Sequence, residues 1–210
     1  MADDGDWRAR AAPPVTLSRE AVGAVGSTRL HRHTVELPGV RGARRRKVVG
    51  VVERPDAVAV VVLRRSPDGA DVETLLVRQP RPAVGDPALI ELVAGKVEDG
   101  ETDPVAVGRR ELAEEAGLAA DHWTVLAERL LASPGYSTEA ITLLAAWGTS
   151  EVPSRPEDAH ISGCWVPLSD ALAEVGGRIR DMKTVVALQL VAADRHRLPP
   201  SLRHAHRRSP

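Results

Sequence analysis

The stretch that decides the fold is Gly95-Lys-Val-Glu-Asp-Gly-Glu101, followed by Arg110-Glu-Leu-Ala-Glu-Glu-Ala-Gly-Leu118. The first part predicts a loop and the second part a helix. Asp103 is expected to cap this helix, and Pro104 suits its first turn because proline needs no hydrogen bond there. Gly117 is expected to end it, since glycine readily adopts the left-handed conformation of a helix C-terminus.

Three glutamates of this helix are expected to share one face. Glu111, Glu114 and Glu115 are spaced at i, i+3 and i+4, which brings their side chains together. Like charges so close repel each other unless a positive charge lies among them. Because Mg²⁺ prefers carboxylate and phosphate oxygens, the residue types favour a divalent cation at this face.

The stretch resembles the Nudix box, whose pattern is G-x5-E-x7-R-E-U-x-E-E-x-G-U with U aliphatic. The matching residues are Gly95, Glu101, Arg110, Glu111, Leu112, Glu114, Glu115, Gly117 and Leu118. Eight residues, 102–109, stand between the Glu and the Arg instead of seven. The extra residue falls near Thr102, in a loop where insertions are tolerated. The resemblance implies an ion pair between Glu101 and Arg110.

The resemblance implies hydrolysis of a nucleoside diphosphate linked to another group, with Mg²⁺ or Mn²⁺ as cofactor. Glu111 and Glu115 are the expected metal ligands, together with the backbone carbonyl of Ala94. Glu114 either ligates a second ion or pairs with Arg110, and both residues are counted with Glu111 in the catalytic set. Gly95 and Gly100 are expected to let the backbone turn tightly beside them.

Strands and helices alternate irregularly along the chain, which favours a mixed sheet with helices on its faces. The family implies the same fold class, an α/β/α sandwich. The apolar run Ala57–Leu63 predicts a buried strand. Ser169 is expected to cap a helix that runs to about 175, and Ile179 to begin a last helix that runs to about 195.

The chain is expected to divide into four parts. They are a flexible leader at 1–14, a small antiparallel β subdomain at 15–52, the Nudix domain at 53–195 and a flexible basic tail at 196–210.

Composition restricts the remaining possibilities. The 210 residues are 43% hydrophobic and have a formal net charge of −1, which argues against a nucleic-acid or membrane partner. A single cysteine excludes an internal disulfide and fits a reducing compartment. The polar N-terminus, 1–10, lacks the apolar core of a signal peptide. A cytoplasmic location is therefore expected.

The flanking residues resemble the ADP-ribose pyrophosphatase branch of the family. Gln79-Pro-Arg81, Glu91-Leu-Val-Ala-Gly95 and Ser133-Pro-Gly-Tyr-Ser-Thr-Glu139 look like three elements of that branch. The resemblance covers about 15–195. It implies that ADP-ribose is cleaved to AMP and ribose 5-phosphate, and that the N-terminal strands are exchanged in a homodimer.

The same resemblance suggests the substrate contacts. Arg81 is expected to bind the diphosphate, because a planar guanidinium can donate two parallel hydrogen bonds. Glu91 and Ser133 are expected as polar contacts, and Arg46 as a further contact to the diphosphate. The alternatives are an ordinary loop cation for Arg81, an ordinary turn at Ser133-Pro134 and a solvated strand end for Arg46.

The resemblance to this branch implies that the general base comes from an acidic loop after the box, which is here 156–161. Glu157 is the first candidate, Asp158 the second and Glu151 the third. Other substrates stay open, namely GDP-mannose, ADP-glucose or a flavin or coenzyme diphosphate. A further alternative is a non-catalytic domain that senses ADP-ribose.

Overall fold

A computed structural model describes residues 12–39, 43–153, 161–194, 196 and 198–203. The strands are β1 (Val15–Val25), β2 (Thr28–Pro38), β3 (Arg44–Glu53), β4 (Ala57–Arg65), β5 (Val72–Arg81), β6 (Asp86–Glu91), β7 (Val93–Lys96), β8 (Leu118–Leu131), β9 (Ala140–Glu151) and β10 (Ser162–Pro167). The helices are α1 (Pro104–Ala116), α2 (Leu168–Ala173), α3 (Met182–Ala193) and α4 (Pro200–Arg203). Among these described residues, no helix is both long and apolar enough to span a bilayer.

The chain divides into two units. The first contains the described residues up to Arg54 together with Ser133–Thr138, and the second contains Pro55–Ala132 and the described residues from Glu139 onward. In the first unit, β1, β2 and β3 form an antiparallel three-stranded sheet in that order. The small antiparallel sheet expected near the N-terminus is therefore confirmed.

The second unit contains a mixed seven-stranded sheet with the order β10-β5-β4-β9-β8. β6 pairs with β5, and β7 pairs with β4. β4 and β9 are parallel, whereas the other neighbours are antiparallel. This mixed sheet is the one that the irregular alternation of strands and helices predicts.

The sheet is covered on both faces, and β4 shows why. Ala59, Val61 and Leu63 of β4 belong to one hydrophobic cluster, which also takes in residues of α2, α3 and α4. The alternate residues, from Val58 to Val62, belong to a second cluster that contains residues of α1. Because side chains alternate across a strand, burial on both faces requires the unbroken apolar run seen in the sequence. The α/β/α sandwich expected from the sequence is thus confirmed.

Helix α1 begins and ends where the sequence predicts. The Asp103 carboxylate accepts a hydrogen bond from the Val105 amide at 2.9 Å, and Pro104 is the first helical residue. Gly117 ends the helix with φ of 64°. The helix lies close to the sheet at Gly108, where a Cβ would come within 2.8 Å of Leu144 Cδ1.

Two other helix boundaries differ from the expectation. α2 begins at Leu168 after Pro167, and Ser169 makes no capping hydrogen bond. α3 begins only at Met182, because the Asp181 carboxylate accepts from the Thr184 amide at 3.0 Å and caps the helix there. Asp181 was not recognised as a cap in the sequence.

The segment at 196–210, expected as a flexible tail, differs in its first part. Leu198 and Leu202 are buried in the cluster on the α3 face of the sheet. These two leucines contact residues that are distant in the sequence, so no local pattern of apolar residues predicted their burial. The last residues, 204–210, lie outside the described residues.

Candidate functional site

Arg110, in the middle of α1, is the centre of an ion-pair network. Its Nε donates to Glu101 Oε1 at 3.1 Å, and its Nη2 donates to Glu101 Oε2 at 3.2 Å. Nη1 donates to Glu111 Oε1 at 2.7 Å and to Glu114 Oε2 at 3.0 Å. Nη2 also donates to the carbonyl of Lys96 at 3.0 Å. The guanidinium therefore connects the loop before α1, which contains Glu101, to the acidic face of the helix.

Glu111 lies against the backbone of Gly95. A Cβ built on Gly95 would overlap the Glu111 carboxylate, so only glycine leaves room for this side chain. The expectation that Gly95 allows a tight turn is wrong, because this residue lies in β7. Gly100 does adopt a left-handed conformation, with φ of 90°. Gly95 thus leaves space for the Glu111 carboxylate, whereas Gly100 provides a backbone conformation that favours glycine.

Glu115 lies beside Ala94, whose amide donates to its Oε2 at 3.2 Å. Burial raises the pKa of Glu115 to about 7; the Ala94 hydrogen bond and the charge of Arg81 lower it, whereas the charge of Glu111 raises it. Burial also raises the pKa of Glu111, against the lowering effect of Arg110. The two carboxylates, Glu111 buried and Glu115 partly buried, thus form an acidic pair that its own cations do not fully compensate.

These residues fit a divalent cation in their donor chemistry. Among the described residues, no three acidic, histidine or cysteine side chains converge as a metal cluster; Arg110 binds Glu114 and one oxygen of Glu111. Mg²⁺ is commonly held by one or two carboxylates plus the phosphates of its substrate. Glu111 and Glu115 satisfy that requirement, and Glu114 takes the alternative role as the partner of Arg110.

Arg81 and Glu91 form a bidentate pair at the end of β5. Arg81 Nε donates to Glu91 Oε1 at 2.5 Å, and Nη2 donates to Oε2 at 2.8 Å. Glu91 is 1% exposed, whereas the Arg81 side chain is 41% exposed. Burial would raise the pKa of Glu91, but the hydrogen bonds and charges of Arg81 and Lys183 hold it below its usual value. Glu91, expected as a polar contact of the substrate, forms ion pairs with two cations, Arg81 and Lys183.

Sequence reasoning missed Lys183, which forms an ion pair with Glu91 from the first turn of α3. Its partner is 92 residues away, so no local pattern indicated the contact. The one available signal was Asp181 three residues before Thr184, the spacing of an N-cap and the amide that it accepts from.

The remaining predicted residues have contacts of their own or lie outside the described residues. In the N-terminal unit, Arg46 pairs with Glu36 at 3.3 Å, and the Ser133 carbonyl accepts from the amide of Ser137 at 2.9 Å in a turn. Glu151 is the last residue of β9 and is exposed. Glu157 and Asp158, the first two candidates for the base, lie outside the described residues.

The chain matches the model of the NUDIX domain over residues 53–187. It belongs to the Nudix family. The matched range includes the box, the Arg81–Glu91 pair and Lys183, so the geometry described above lies within the Nudix domain. The pyrophosphohydrolase class expected from the box is confirmed at the level of this family.

Two similar proteins extend the comparison. An ADP-ribose pyrophosphatase of Mycobacterium tuberculosis is 34% identical over 164 residues, which are 76% of this chain and 73% of that protein. A crystal structure of an ADP compounds hydrolase superposes with a TM-score of 0.70 at 22% identity, covering 90% of this chain and 98% of that chain. The structural likeness supports the fold, and the sequence likeness supports the branch recognised in the flanking motifs.

Proposed function

We propose that this Nudix protein hydrolyses the pyrophosphate bond of ADP-ribose, giving AMP and ribose 5-phosphate. The observation that carries the proposal is the acidic face of α1, where Glu111 lies against Gly95 and Glu115 accepts a hydrogen bond from the Ala94 amide. Arg81 has a partly exposed guanidinium, and its charge lowers the pKa of Glu115, so it is the candidate cation for the diphosphate. The similarity to a mycobacterial ADP-ribose pyrophosphatase supports the choice of substrate.

Glu111, Glu115 and the carbonyl of Ala94 would hold Mg²⁺ or Mn²⁺. When bound, the ion polarises the phosphate oxygens and lowers the pKa of a coordinated water. Arg110 fixes Glu111 and Glu114 on the helix face through the hydrogen bonds described above. Arg81 would neutralise charge on the diphosphate, and Glu157, with Asp158 as the alternative, would accept the proton of the attacking water.

The test of the proposed reaction is a substrate panel that measures AMP release from ADP-ribose, ADP-glucose and flavin adenine dinucleotide, and GMP release from GDP-mannose, each with Mg²⁺ and with Mn²⁺. ADP-ribose should have the highest kcat/KM. Activity on nucleoside triphosphates without activity on ADP-ribose would contradict the proposal. Calorimetric binding of ADP-ribose without hydrolysis would instead identify a sensing domain.

The base is tested by Glu157→Gln and Asp158→Asn. If Glu157 accepts the proton, its variant should lower kcat by about 10²-fold or more, with little change in metal affinity measured by calorimetry. Asp158→Asn serves as the matched control in the same loop. The reverse pattern would assign the proton transfer to Asp158.

We also propose a homodimer built through the N-terminal sheet, and a cytoplasmic location. Support for the dimer comes from apolar side chains exposed on β1 and β2, namely Val15, Leu17, Val22, Val25 and Leu30. The location rests on the single cysteine. Sedimentation equilibrium tests the dimer, and a monomer at micromolar concentration would contradict it.

A further inference from the structure

The first turn of α3 contacts the residue that orients Arg81. Lys183 forms an ion pair with Glu91 Oε2 and a second one with Asp181 Oδ2 at 3.0 Å. Its side chain is only 13% exposed, so both pairs are largely shielded from water. A mostly buried lysine therefore links the N-cap of α3 to the buried carboxylate beneath Arg81.

The same turn is fixed to the strand region that contains Glu91. Thr184 Oγ1 accepts from the Leu92 amide at 3.0 Å and donates to Asp181 Oδ2 at 2.6 Å. Thr184 is fully buried. The position of Lys183 relative to Glu91 is thus set by hydrogen bonds between neighbouring backbone segments as well as by charge.

Glu91 has both oxygens occupied. Oε1 accepts from Arg81 Nε, and Oε2 accepts from Arg81 Nη2 and from Lys183. One edge of the guanidinium is therefore bound by Glu91, and Nη1 has no acceptor within the part of the chain that the structure describes.

A purely structural role would account poorly for this arrangement. Buried ion pairs contribute little net stability, because desolvation offsets their attraction. A lysine that only filled space would be replaceable by an apolar side chain of similar length. What the lysine supplies is orientation, because it prevents the Glu91 carboxylate from rotating away from the two nitrogens of Arg81. A shift of about 1 Å in a binding group can change a rate by about 100-fold.

We propose that Lys183 is a positioning residue for diphosphate recognition, acting through Glu91 to fix the guanidinium of Arg81 with Nη1 directed to the diphosphate. This inference rests on the proposed function, in which Arg81 binds the diphosphate of the substrate. Asp181 and Thr184 fix the lysine in turn. The contact thus makes the first turn of α3 part of the substrate-binding apparatus.

A double-mutant cycle between Lys183→Met and Arg81→Met tests the inference. Lys183→Met should lower kcat/KM for ADP-ribose by about tenfold or more, chiefly through KM, because Arg81 loses its fixed orientation. In the Arg81→Met background the same substitution should change kcat/KM by less than about twofold, since no guanidinium remains to be positioned. Lys183→Arg should recover most of the activity.

Arg178→Met is the matched control. Arg178 precedes the same helix and contributes the same charge, but its side chain is 79% exposed and lies 3.7 Å from Glu174. This variant should retain wild-type kcat/KM. Additive effects of Lys183→Met and Arg81→Met, or wild-type kcat/KM in Lys183→Met, would overturn the inference.

Binding without turnover separates this inference from the proposed hydrolysis. Calorimetry with ADP-ribose in the absence of divalent metal should show weaker binding by about tenfold in Lys183→Met and Arg81→Met, and no further loss in the double variant. This result would support the positioning role even if ADP-ribose were not hydrolysed. If the wild type neither binds nor cleaves ADP-ribose, the proposed substrate is wrong, and the same cycle is run on the diphosphate compound of the panel that it does cleave.

Discussion

Arg110 donates two hydrogen bonds to Glu101 although eight residues separate them instead of the seven of the Nudix pattern. The extra residue is taken up in the irregular segment before α1, which begins at Pro104. The Glu101 carboxylate also accepts from the Glu98 amide at 2.8 Å, so the loop is closed on itself. The insertion therefore changes the loop and leaves the ion pair in place.

Replacing Arg110 should damage both activity and stability. Arg110→Lys retains the charge but cannot reproduce donations to Glu101, Glu111, Glu114 and Lys96. We expect kcat to fall by about 10²-fold and the free energy of unfolding to fall by about 1–3 kcal/mol. Steady-state kinetics and urea denaturation measure the two effects. The control is Arg109→Lys at the exposed neighbouring position, and equal behaviour of the two variants would contradict the role given to Arg110.

Glu115→Gln should remove metal-dependent activity while leaving the fold intact. The amide is nearly isosteric, but it lacks the negative charge expected to bind the cation. We expect kcat to fall by at least about 100-fold and Mn²⁺ affinity by calorimetry to fall in parallel. Circular dichroism should show an unchanged melting profile or a more stable one, because a charge is removed from a partly buried position. Wild-type activity in Glu115→Gln would refute the assignment of Glu115 as a metal ligand. Glu128→Gln, at an exposed position of β8, is the control.

Gly95→Ala tests the close approach of Glu111 to the backbone. The added methyl group would overlap the carboxylate, so Glu111 must leave its position or β7 must shift. We expect a loss of about 1–3 kcal/mol in the free energy of unfolding together with a large fall in kcat. Gly23→Ala is a suitable control, because a Cβ there meets nothing within 4 Å. Similar activities for the two variants would show that the overlap is relieved without consequence.

The buried Glu91 should make stability depend on pH in the acidic range. Its folded pKa lies below the unfolded value near 4.5, so its stabilisation is complete above about pH 4.5 and is lost as the pH falls through the folded pKa. Glu91→Gln removes the negative charge that Arg81 and Lys183 share, leaving Lys183 only its ion pair with Asp181, and should cost about 3–5 kcal/mol at pH 7. Urea denaturation of both proteins from pH 7 to pH 3 should show this difference shrinking below about pH 4.5. A difference in unfolding free energy between the two proteins that stays constant from pH 7 to pH 3 would contradict the ionic role of Glu91.

Helix α1 and the central strand could be predicted from sequence for a local reason. The start of α1 is set by Asp103 and Pro104 and its end by Gly117, each through contacts with adjacent residues. The apolar run of β4 follows from burial on both faces of one strand. The same reasoning failed at Ser169 and Ile179. α3 is capped by Asp181, and α2 begins after Pro167 without a side-chain cap, so neither helix starts at the residue that the local pattern favoured.

The candidate site was only partly predictable. The spacing of Glu111, Glu114 and Glu115 placed them on one helix face, and the i, i+4 spacing offered Arg110 as a partner of Glu114; that Arg110 also binds Glu111 was not predicted. The box also could not reveal that Gly95 makes room for a carboxylate. The contact between Glu111 and Gly95 arises where β7 packs against α1, and side-chain spacing along the helix alone does not specify that packing.

The sequence alone determined the family, the α/β/α class and the acidic helix face, because these depend on spacing along single elements. Only the tertiary structure decided the environment of Arg81. Glu91 and Lys183 are 92 residues apart and meet because α3 packs on the same sheet that β6 joins. Long-range charge pairs of this kind leave no periodic signal in the sequence, since each partner alone is an ordinary charged residue.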